Sequence, residues 1–260
     1  MGARRLPHAD PPRNHALSGA GVVAALGAEA RTLGRPVRRS DGLFAAGDGI
    51  LMAVSGMGCP AAAAAARRLL DAGATALVSW GMAGGLDPKL TAGTICLPRS
   101  VVTEDGGRYS TDHHWREILT AAVAARNGIE GGDLLTSPIA IDDVAGKAAA
   151  FIRTGAVAVD MESSAVAAIA ADHGIPFIAI RVIVDTAADE LPQAAVEAMQ
   201  SGRVRISRLI LGIVRRPRDV AALMRLADRY RAAKRSLTEV ARTGVLAPVA
   251  LALPASTRIA

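Results

Sequence analysis

Two carboxylates directly follow two predicted β-strands in the stretch 157–190. Val157–Met161 is a short apolar run with β-branched residues, and Glu162 follows it at a predicted helix start. Pro176–Val184 is an almost continuous apolar run, which is typical of a buried strand, and Asp185 ends it. Ligands of open α/β sheets bind beyond the carboxyl ends of the strands, so we expect both acids at one rim. Two carboxylates in different surroundings can take different roles in acid–base chemistry.

A third acid, Glu29, follows the first predicted strand, Ala20–Leu26. Gly27 belongs to the turn, and we predict a helix over Ala28–Leu33. On spacing alone, the favoured interpretation is an acid in a first helical turn, where the helix dipole stabilises it by about 0.3–1 kcal/mol. A functional acid at the same rim is the alternative.

Two glycine-rich segments follow predicted strands and could bring the backbone close to a ligand. Ser55–Gly58 comes after the strand Gly49–Ser55, and Gly81–Gly85 comes after the strand Thr75–Trp80. The first segment lacks a full phosphate-binding fingerprint, so a tight turn is its favoured interpretation. For the second, three glycines in five residues predict a turn that a ligand can approach.

Two other features have a functional interpretation and a simpler one. His113 and His114 are adjacent, so their side chains point apart on a helix, and no third residue stands at a metal-ligand spacing. We therefore predict no metal site. Arg181 is a charge inside an apolar predicted strand, and a buried charge needs a partner. A structural ion pair is favoured for Arg181, and a phosphate ligand is the alternative.

The elements that must position these residues alternate between strands and helices, which predicts an α/β fold. A hairpin is expected between Gly42–Ala46 and Gly49–Ser55. The other predicted elements are strands at Gly93–Leu97 and Gly132–Ser137, helices at 61–73, Trp115–Arg126, Val144–Ile152 and Ala165–Asp172, and loops at Asp105–Ser110 and Pro138–Asp143.

The composition suits one large α/β domain, or one domain with appendages, because 51% of the 260 residues are hydrophobic. Aromatic residues make up only 3%, so a stacking platform for nucleic acid is not expected. Cys59 and Cys96 lie far apart, which favours a reducing cytoplasm over a disulfide scaffold. We see no signal peptide and no apolar run of the roughly 18 residues that a membrane-spanning helix needs.

The chain divides into three predicted parts. Residues 1–18 are Pro/Arg-rich and are expected to be a disordered extension, residues 19–214 form the folded domain, and residues 215–260 form a basic helical tail. The net charge is +6, and residues 203–235 carry much of the excess. A basic segment suggests an anionic partner, and a solvated helix face is the simpler interpretation.

Residues 203–240 place apolar side chains on one helix face and arginines on others. This pattern fits a membrane surface, such as the inner membrane, and equally a helix packed on the sheet. The packed helix is favoured for 203–214, and contact with a membrane or partner is favoured for 219–240. Leu191–Met199 is expected to be a helix or lid segment.

Three stretches resemble the nucleoside phosphorylase and nucleosidase superfamily. They are AALGAEARTL, SWGMAGGLDPKLTAGTICLP and AVDMESSAVAAIAADHGIPFIAIRVIVD. The pattern is most similar to the methylthioadenosine/S-adenosylhomocysteine nucleosidases and, more narrowly, to the hopanoid-associated phosphorylase branch, implicated in removing adenine from the lipid intermediate adenosylhopane. The resemblance covers about residues 20–212. It implies a three-layer α/β/α fold with a mixed, twisted central sheet, and cleavage of the N-glycosidic bond of a 5′-substituted adenosine.

The resemblance assigns a role to each acid. Glu29 falls at the family's water-activating glutamate, Glu162 at the glutamate that binds the ribose hydroxyls, and Asp185 at the aspartate that protonates purine N7. An acid that protonates N7 near neutral pH needs a pKa raised by burial. Charge-assisted bonds from Glu162 would strengthen as positive charge forms on the ribose. No metal or organic cofactor is required.

Neighbours of the acids are assigned in the same way. Met161 would pack beside the ribose, and Gly84 and Gly85 would let a Met82–Gly85 loop approach the sugar. Met82 itself replaces the serine that is usual in this turn.

The predicted base site departs from the family. Ile141 replaces the aromatic residue that usually covers the base, and Val184 replaces the serine that usually precedes the acid. Base stacking and polar support of the acid would both be weaker, which suits a more apolar substrate.

Water and phosphate remain alternatives for the nucleophile. Phosphorolysis should need arginines around a phosphate, yet the first turn offers Glu29, with Arg31 two residues on, and no arginine lies between Thr75 and Pro98. Hydrolysis is therefore favoured. Phosphate as a co-substrate stays open because the branch is named for phosphorolysis.

Related enzymes are dimers, trimers or hexamers, so a homo-oligomer is expected. A non-catalytic nucleoside-binding or scaffolding module at a membrane surface is the alternative from another class. A Rossmann oxidoreductase is disfavoured because no G-x-G-x-x-G follows the first strand.

Overall fold

The computed structural model describes residues 19–46, 49–124, 128–191 and 220–246, with the backbone alone described at 220–223. The strands are β1 (Gly19–Ala24), β2 (Val37–Arg38), β3 (Phe44–Ala45), β4 (Ile50–Val54), β5 (Ala74–Gly85), β6 (Ile95–Cys96), β7 (Ser100–Thr103), β8 (Arg108–Ser110), β9 (Ile129–Glu130), β10 (Leu134–Thr136), β11 (Ala158–Asp160) and β12 (Phe177–Asp185). The helices are α1 (Gly27–Ala30), α2 (Cys59–Asp71), α3 (His113–Val123), α4 (Val144–Thr154), α5 (Ser163–Asp172) and α6 (Val220–Arg242).

These strands form one mixed sheet in the order β2-β3-β4-β1-β5-β11-β10-β7-β8, with β12 paired to β5 and β6. The long strand β5 is its centre. Residues 77–83 of β5 run parallel to residues 177–183 of β12, while Gly84 and Gly85 pair antiparallel with Val159 and Ala158 of β11. The turn predicted at Gly81–Gly85 is therefore wrong: ladder hydrogen bonds to two neighbouring strands hold these glycines in an extended conformation.

Helices cover both faces of the sheet and create two apolar cores, which confirms the predicted three-layer α/β/α fold. One core lies under α2 and α5 and includes Ala62, Ala65, Ala66, Leu69, Val166, Ala167, Ile169 and Ala170. The other lies under α3 and α6 and includes Trp115, Leu119, Val123, Ala233, Leu237 and Val240. Small alanines let α2 and α5 approach the sheet closely, which explains how a chain with few aromatic residues fills its core.

Local capping sets where the helices that carry candidate site residues begin and end. The Asp112 and Asp143 side chains accept hydrogen bonds from Trp115 N (2.8 Å) and Gly146 N (2.6 Å), so they cap α3 and α4. Gly155 ends α4 in the left-handed conformation with φ 66°. The predicted hairpin is confirmed by pairing of β3 with β4. The loop predicted at Asp105–Ser110 is partly wrong, because Arg108–Ser110 forms β8 and pairs with β7.

Helix α6 belongs to the packed fold. Ala233, Leu237 and Val240 are fully buried against the sheet, although this helix was expected as part of a tail that contacts a membrane or partner. Within the described residues, no helix is both long and apolar enough to cross a bilayer. The predicted extension at 1–18, the lid or helix at 191–199 beyond Leu191, and the helix at 203–214 lie outside the described residues.

Candidate active site

Glu29 is a buried acid whose carboxylate is held by backbone amides. Its Oε2 accepts a hydrogen bond from Leu26 N (3.0 Å), and its Oε1 accepts one from Met82 N in β5 (2.9 Å). Gly81 makes this approach possible, since a Cβ atom there would lie 2.6 Å from Glu29 Oε1 and 3.0 Å from Arg181 Nη1. The Glu29 side chain thus reaches beyond its own helical turn to Gly81 and Met82 of β5. The prediction that Glu29 lies at the start of a helix is correct.

Arg181 forms the structural ion pair that the sequence favoured. Its Nε donates to Asp160 Oδ2 (2.8 Å), and its Nη2 donates to the hydroxyls of Ser79 (2.7 Å) and Ser163 (3.0 Å). Both charged side chains are almost fully buried. Asp160 and the two serines were not predicted. They come from β11, β5 and the start of α5: Ser79 is a polar residue in an apolar run, and Asp160 and Ser163 belong to a polar segment at a predicted helix start.

Glu162 lies at the N-terminus of α5 and contacts the glycine-rich turn before α2. Gly58 N donates to Glu162 Oε1 (2.8 Å). The turn was predicted correctly: Gly56 and Gly58 have φ of 85° and 92°, a conformation that favours glycine. The Gly58 amide, which could have bound a phosphate or the edge of a sugar, donates instead to the Glu162 carboxylate.

Glu29, Asp160, Glu162 and Arg181 interact electrostatically and form one unit, which we name the Arg181 cluster. Burial raises the pKa of Glu29, while Arg181 and the two backbone amides act in the opposite direction. Burial also raises the pKa of Glu162 to about 7, with a further increase from the negative charge of Asp160. The cluster holds three carboxylates against one guanidinium, so it favours positive charge beside it.

Asp185 ends β12 at a β-bulge, and this irregularity decides where its side chain lies. The register shifts after Ile183, so that Asp185, and not Val184, stands opposite Gly84 of β5. A bulge of this kind re-aims a side chain at the end of a strand. A Cβ atom on Gly84 would lie 3.3 Å from Asp185 Oδ2, so the absent side chain leaves room for the carboxylate.

Lys147 of α4 is the partner of Asp185 and was not predicted. It is fully buried, its Nζ forms an ion pair with Asp185 Oδ2, and it donates to the carbonyls of Thr186 (2.9 Å) and Asp189 (2.9 Å). We name this unit the Lys147–Asp185 pair. Burial raises the pKa of Asp185, and the positive charge of Lys147 acts against that increase. The sequence signal was weak: one lysine in an alanine-rich helix.

A cavity of about 310 Å³ opens beside Asp185. Its walls come from the start of α4, the segment after β12 and the side of α6, and comprise Val144, Asp185, Ala188, Asp189, Glu190, Leu191, Arg225, Leu226 and Arg229. Helix α6 contributes an ion pair here, between Arg229 and Asp189 (2.7 Å). Tyr230, one residue further, is close enough to Glu29 and Arg31 for their charges to affect its pKa, which burial raises.

The two residues predicted to contact a base, Ile141 and Val184, do not line this cavity. Ile141 packs beneath α4 in a side cluster with Leu135 and Val159, and it does not line the cavity. Val184 packs against the core under α3 and α6. The register shift at the bulge leaves Val184 without a partner in β5, and Ile141 lies 3.1 Å from the Cβ position of Gly146 in α4.

The predicted neighbours of the ribose lie close to the acids. Gly85 packs against the Asp185 backbone, with a Cβ position 3.2 Å from its carbonyl oxygen. Met161 is half-buried, and its carbonyl accepts a hydrogen bond from Cys59 Sγ (3.3 Å). His113 and His114 are exposed at the start of α3, and the described part of the chain contains no group of three potential metal ligands.

The chain is similar to a known protein family and to a nucleosidase of known type. The profile of a family described as the Phosphorylase superfamily matches residues 21–215, well over half of the chain. A 5′-methylthioadenosine/S-adenosylhomocysteine nucleosidase of Bacillus velezensis is 25% identical over 192 residues, which cover 64% of this chain and 81% of that protein.

Solved structures share the fold at lower identity. A 5′-methylthioadenosine/S-adenosylhomocysteine nucleosidase of Neisseria meningitidis in complex with methylthio-immucillin-A has a TM-score of 0.65 at 19% identity, covering 87% of this chain and 98% of that chain. The futalosine hydrolase of Helicobacter pylori has a TM-score of 0.61 at 17% identity, covering 78% and 100%. Likeness at this level establishes a common fold.

Proposed function

Because the chain belongs to the phosphorylase superfamily, we propose that it cleaves the N-glycosidic bond of a 5′-substituted adenosine and releases adenine. One observation carries this proposal: two buried carboxylates reach the same strand, Glu29 at Gly81 and Asp185 at Gly84. Three residues of an extended strand span about 10 Å, the length scale of a purine with its ribose, and side chains three residues apart lie on opposite faces, so the two acids flank β5 near its carboxyl end. Glu162 joins the Glu29 end through the Arg181 cluster.

The two ends of this site suit the two charges that form when the bond breaks. Positive charge develops on the ribose ring, and the carboxylate-rich Arg181 cluster would stabilise it. Negative charge develops on the departing adenine, and Asp185, whose pKa burial raises, would donate a proton to N7. Glu162 would bind the ribose hydroxyls with Met161 beside the sugar, and Gly84 and Gly85, which lie next to Asp185, would border the sugar where it joins the base.

Water is the favoured nucleophile in this proposal, with Glu29 as its base. The Arg181 nitrogens Nε and Nη2 already bind Asp160, Ser79 and Ser163. A guanidinium held this way is a weak candidate for a phosphate clamp. Phosphate as a co-substrate is the second candidate, and it is supported by the resemblance to a branch named for phosphorolysis.

The 5′ substituent is proposed to be apolar, as in adenosylhopane. The support is the sequence resemblance to the hopanoid-associated branch. A homo-oligomer, a cytoplasmic location and peripheral contact of residues 203–240 with a membrane stay predictions.

Adenine release is the direct test. Purified protein is incubated with adenosine, methylthioadenosine and an adenosine with a long alkyl 5′ substituent, each with and without phosphate, and free adenine is quantified by chromatography. We expect release without phosphate, with the highest kcat/KM for the alkyl substrate. Turnover that requires phosphate would instead identify a phosphorylase.

Variants test the assignment of roles. Asp185→Asn and Glu29→Gln should each lower kcat/KM about 10²–10⁴-fold, the usual contribution of a positioned acid or base. The matched control is Asp172→Asn, because Asp172 is exposed at the end of α5. If both site variants release adenine as fast as this control, the proposed roles are wrong.

A further inference from the structure

Lys147 is a fully buried lysine in a helix that the proposed reaction has not used so far. An ammonium group away from water needs partners for its charge and its three donors. The structure supplies three partners: the Asp185 carboxylate and the carbonyls of Thr186 and Asp189. The ammonium therefore ties α4 to the end of β12 and to the segment that follows it.

The position of this lysine matters because Asp185 has no polar neighbour on its own strand. Val184 packs into the core, and the bulge places Asp185 alone opposite Gly84, where no side chain can support it. Lys147 binds Oδ2, on one side of the carboxyl group. Both carboxylate oxygens lie near Gly84, Oδ2 at 3.3 Å and Oδ1 at 3.6 Å from the Cβ position of that glycine, and among the described residues only Oδ2 accepts a hydrogen bond from Lys147.

We propose that Lys147 is a positioning residue, which holds Asp185 through Oδ2 so that Oδ1 meets N7 of the purine. The inference rests on the proposed function, since it gives Lys147 a part in that reaction. It also identifies what replaces the missing polar contact at position 184: the support comes from α4 instead of from the preceding residue of β12.

The charge of Lys147 has a consequence for pH dependence. The charged groups that face Asp185 are Lys147 from α4, Asp189 from the segment after β12 and Arg229 from α6. Lys147 lowers the pKa of Asp185, so an uncharged residue at 147 should raise it. Because the reaction uses the protonated acid, activity should then persist to higher pH.

The test compares Lys147→Met, which removes both charge and donor, with Lys147→Gln, which removes the charge and keeps an N–H donor. Lys89→Met is the matched control, since Lys89 is exposed. Folding is checked by circular dichroism, and kcat/KM for adenine release is measured from pH 5 to pH 10. We expect a loss of at least about tenfold for Lys147→Met at pH 7, a smaller loss for Lys147→Gln, and an upward shift of the basic limb in both.

Each of the following outcomes would contradict the proposed role of Lys147. If the folded variants keep the rate and the basic limb of wild type, or lose activity without a shift of that limb, Lys147 does not act through Asp185. If neither variant folds, the lysine serves stability, and the inference is also overturned. If wild type releases no adenine, or Asp185→Asn is as fast as wild type, the proposed function has failed first and the Lys147 inference falls with it.

Discussion

The Arg181 cluster and the Lys147–Asp185 pair are both buried, but their charges are balanced differently. In the cluster, Glu29, Asp160 and Glu162 share one guanidinium. In the pair, one ammonium faces one carboxylate. An excess of carboxylates raises the pKa of its own members and attracts a cation, whereas a one-to-one pair holds a carboxyl group in place. Under the proposed function, the two groups would serve different parts of one reaction.

Removal of the shared cation should have the largest effect. Arg181→Met leaves Asp160 buried without its partner, and breaking a buried pair in this way lowers the free energy of unfolding by about 3–5 kcal/mol. Urea denaturation followed by circular dichroism measures it, with Arg67→Met on the exposed side of α2 as control. A change below about 1 kcal/mol would show that the cluster is not held by Arg181.

Glu162 should make stability depend on pH within the same cluster. Its folded pKa, about 7, lies above the ordinary value of 4.5, so the folded chain keeps a proton that the unfolded chain releases. Wild type should therefore lose stability as pH rises from about 4.5 to 7. Glu162→Gln keeps the acceptor for Gly58 and lacks this titration.

Unfolding of both proteins at pH 5 and pH 8 measures the difference. We expect Glu162→Gln to gain on wild type by on the order of 1–3 kcal/mol between the two values. If the free energies of unfolding of the two proteins change equally between pH 5 and pH 8, the ionised Glu162 is not destabilised by its neighbours.

Substitutions of Gly81 and Gly84 in β5 allow a direct comparison of the Glu29 end and the Asp185 end of the site. Gly81→Ala brings a methyl group within 2.6 Å of Glu29 Oε1, whereas Gly84→Ala brings one only to 3.3 Å of Asp185 Oδ2. The clash at the first site should displace the Glu29 carboxylate, and misplacement of such a group predicts a loss of about 10-fold or more in kcat/KM for adenine release. We expect less than about threefold at the second, and equal losses would remove the steric distinction between the two ends.

The smallest effect is expected from Arg229→Ala. This arginine pairs with Asp189 at 2.7 Å, but its side chain is 30% exposed. Ion pairs of this kind contribute about 0–1 kcal/mol to stability. The melting temperature and kcat/KM should change little, and a large loss of activity would assign α6 a direct part in the site.

Periodicity and turn chemistry were sufficient to predict most elements of this fold. The apolar run that forms β12, the alanine-rich α2 and the glycine turn before it are local patterns, so the sequence contains their causes. The prediction of a turn at Gly81–Gly85 was wrong, because glycines form a turn only where no neighbouring strand pairs with them. Here β11 and β12 both do.

The positions of the three acids after strands were predictable from the sequence, and the partners that hold them were not. Glu29, Glu162 and Asp185 each follow a strand and could be found from that position. Lys147 could not be identified from the sequence, because its partner Asp185 is 38 positions away. The β-bulge that orients Asp185 also has no recognisable sequence pattern. The packing of Ile141 against the side cluster and near Gly146 of α4 was not evident from the sequence either, because it depends on contacts made in the folded chain.

The sequence by itself determined which carboxylates end or follow the strands, namely Glu29, Glu162 and Asp185. Only the tertiary structure decided how each acid is held. Gly58 N and Glu162 are 104 residues apart, and Met82 N and Glu29 are 53 apart. Strand order and register bring such groups together, and burial then sets their pKa values, because charge and desolvation depend on neighbours in space and not on neighbours in the chain.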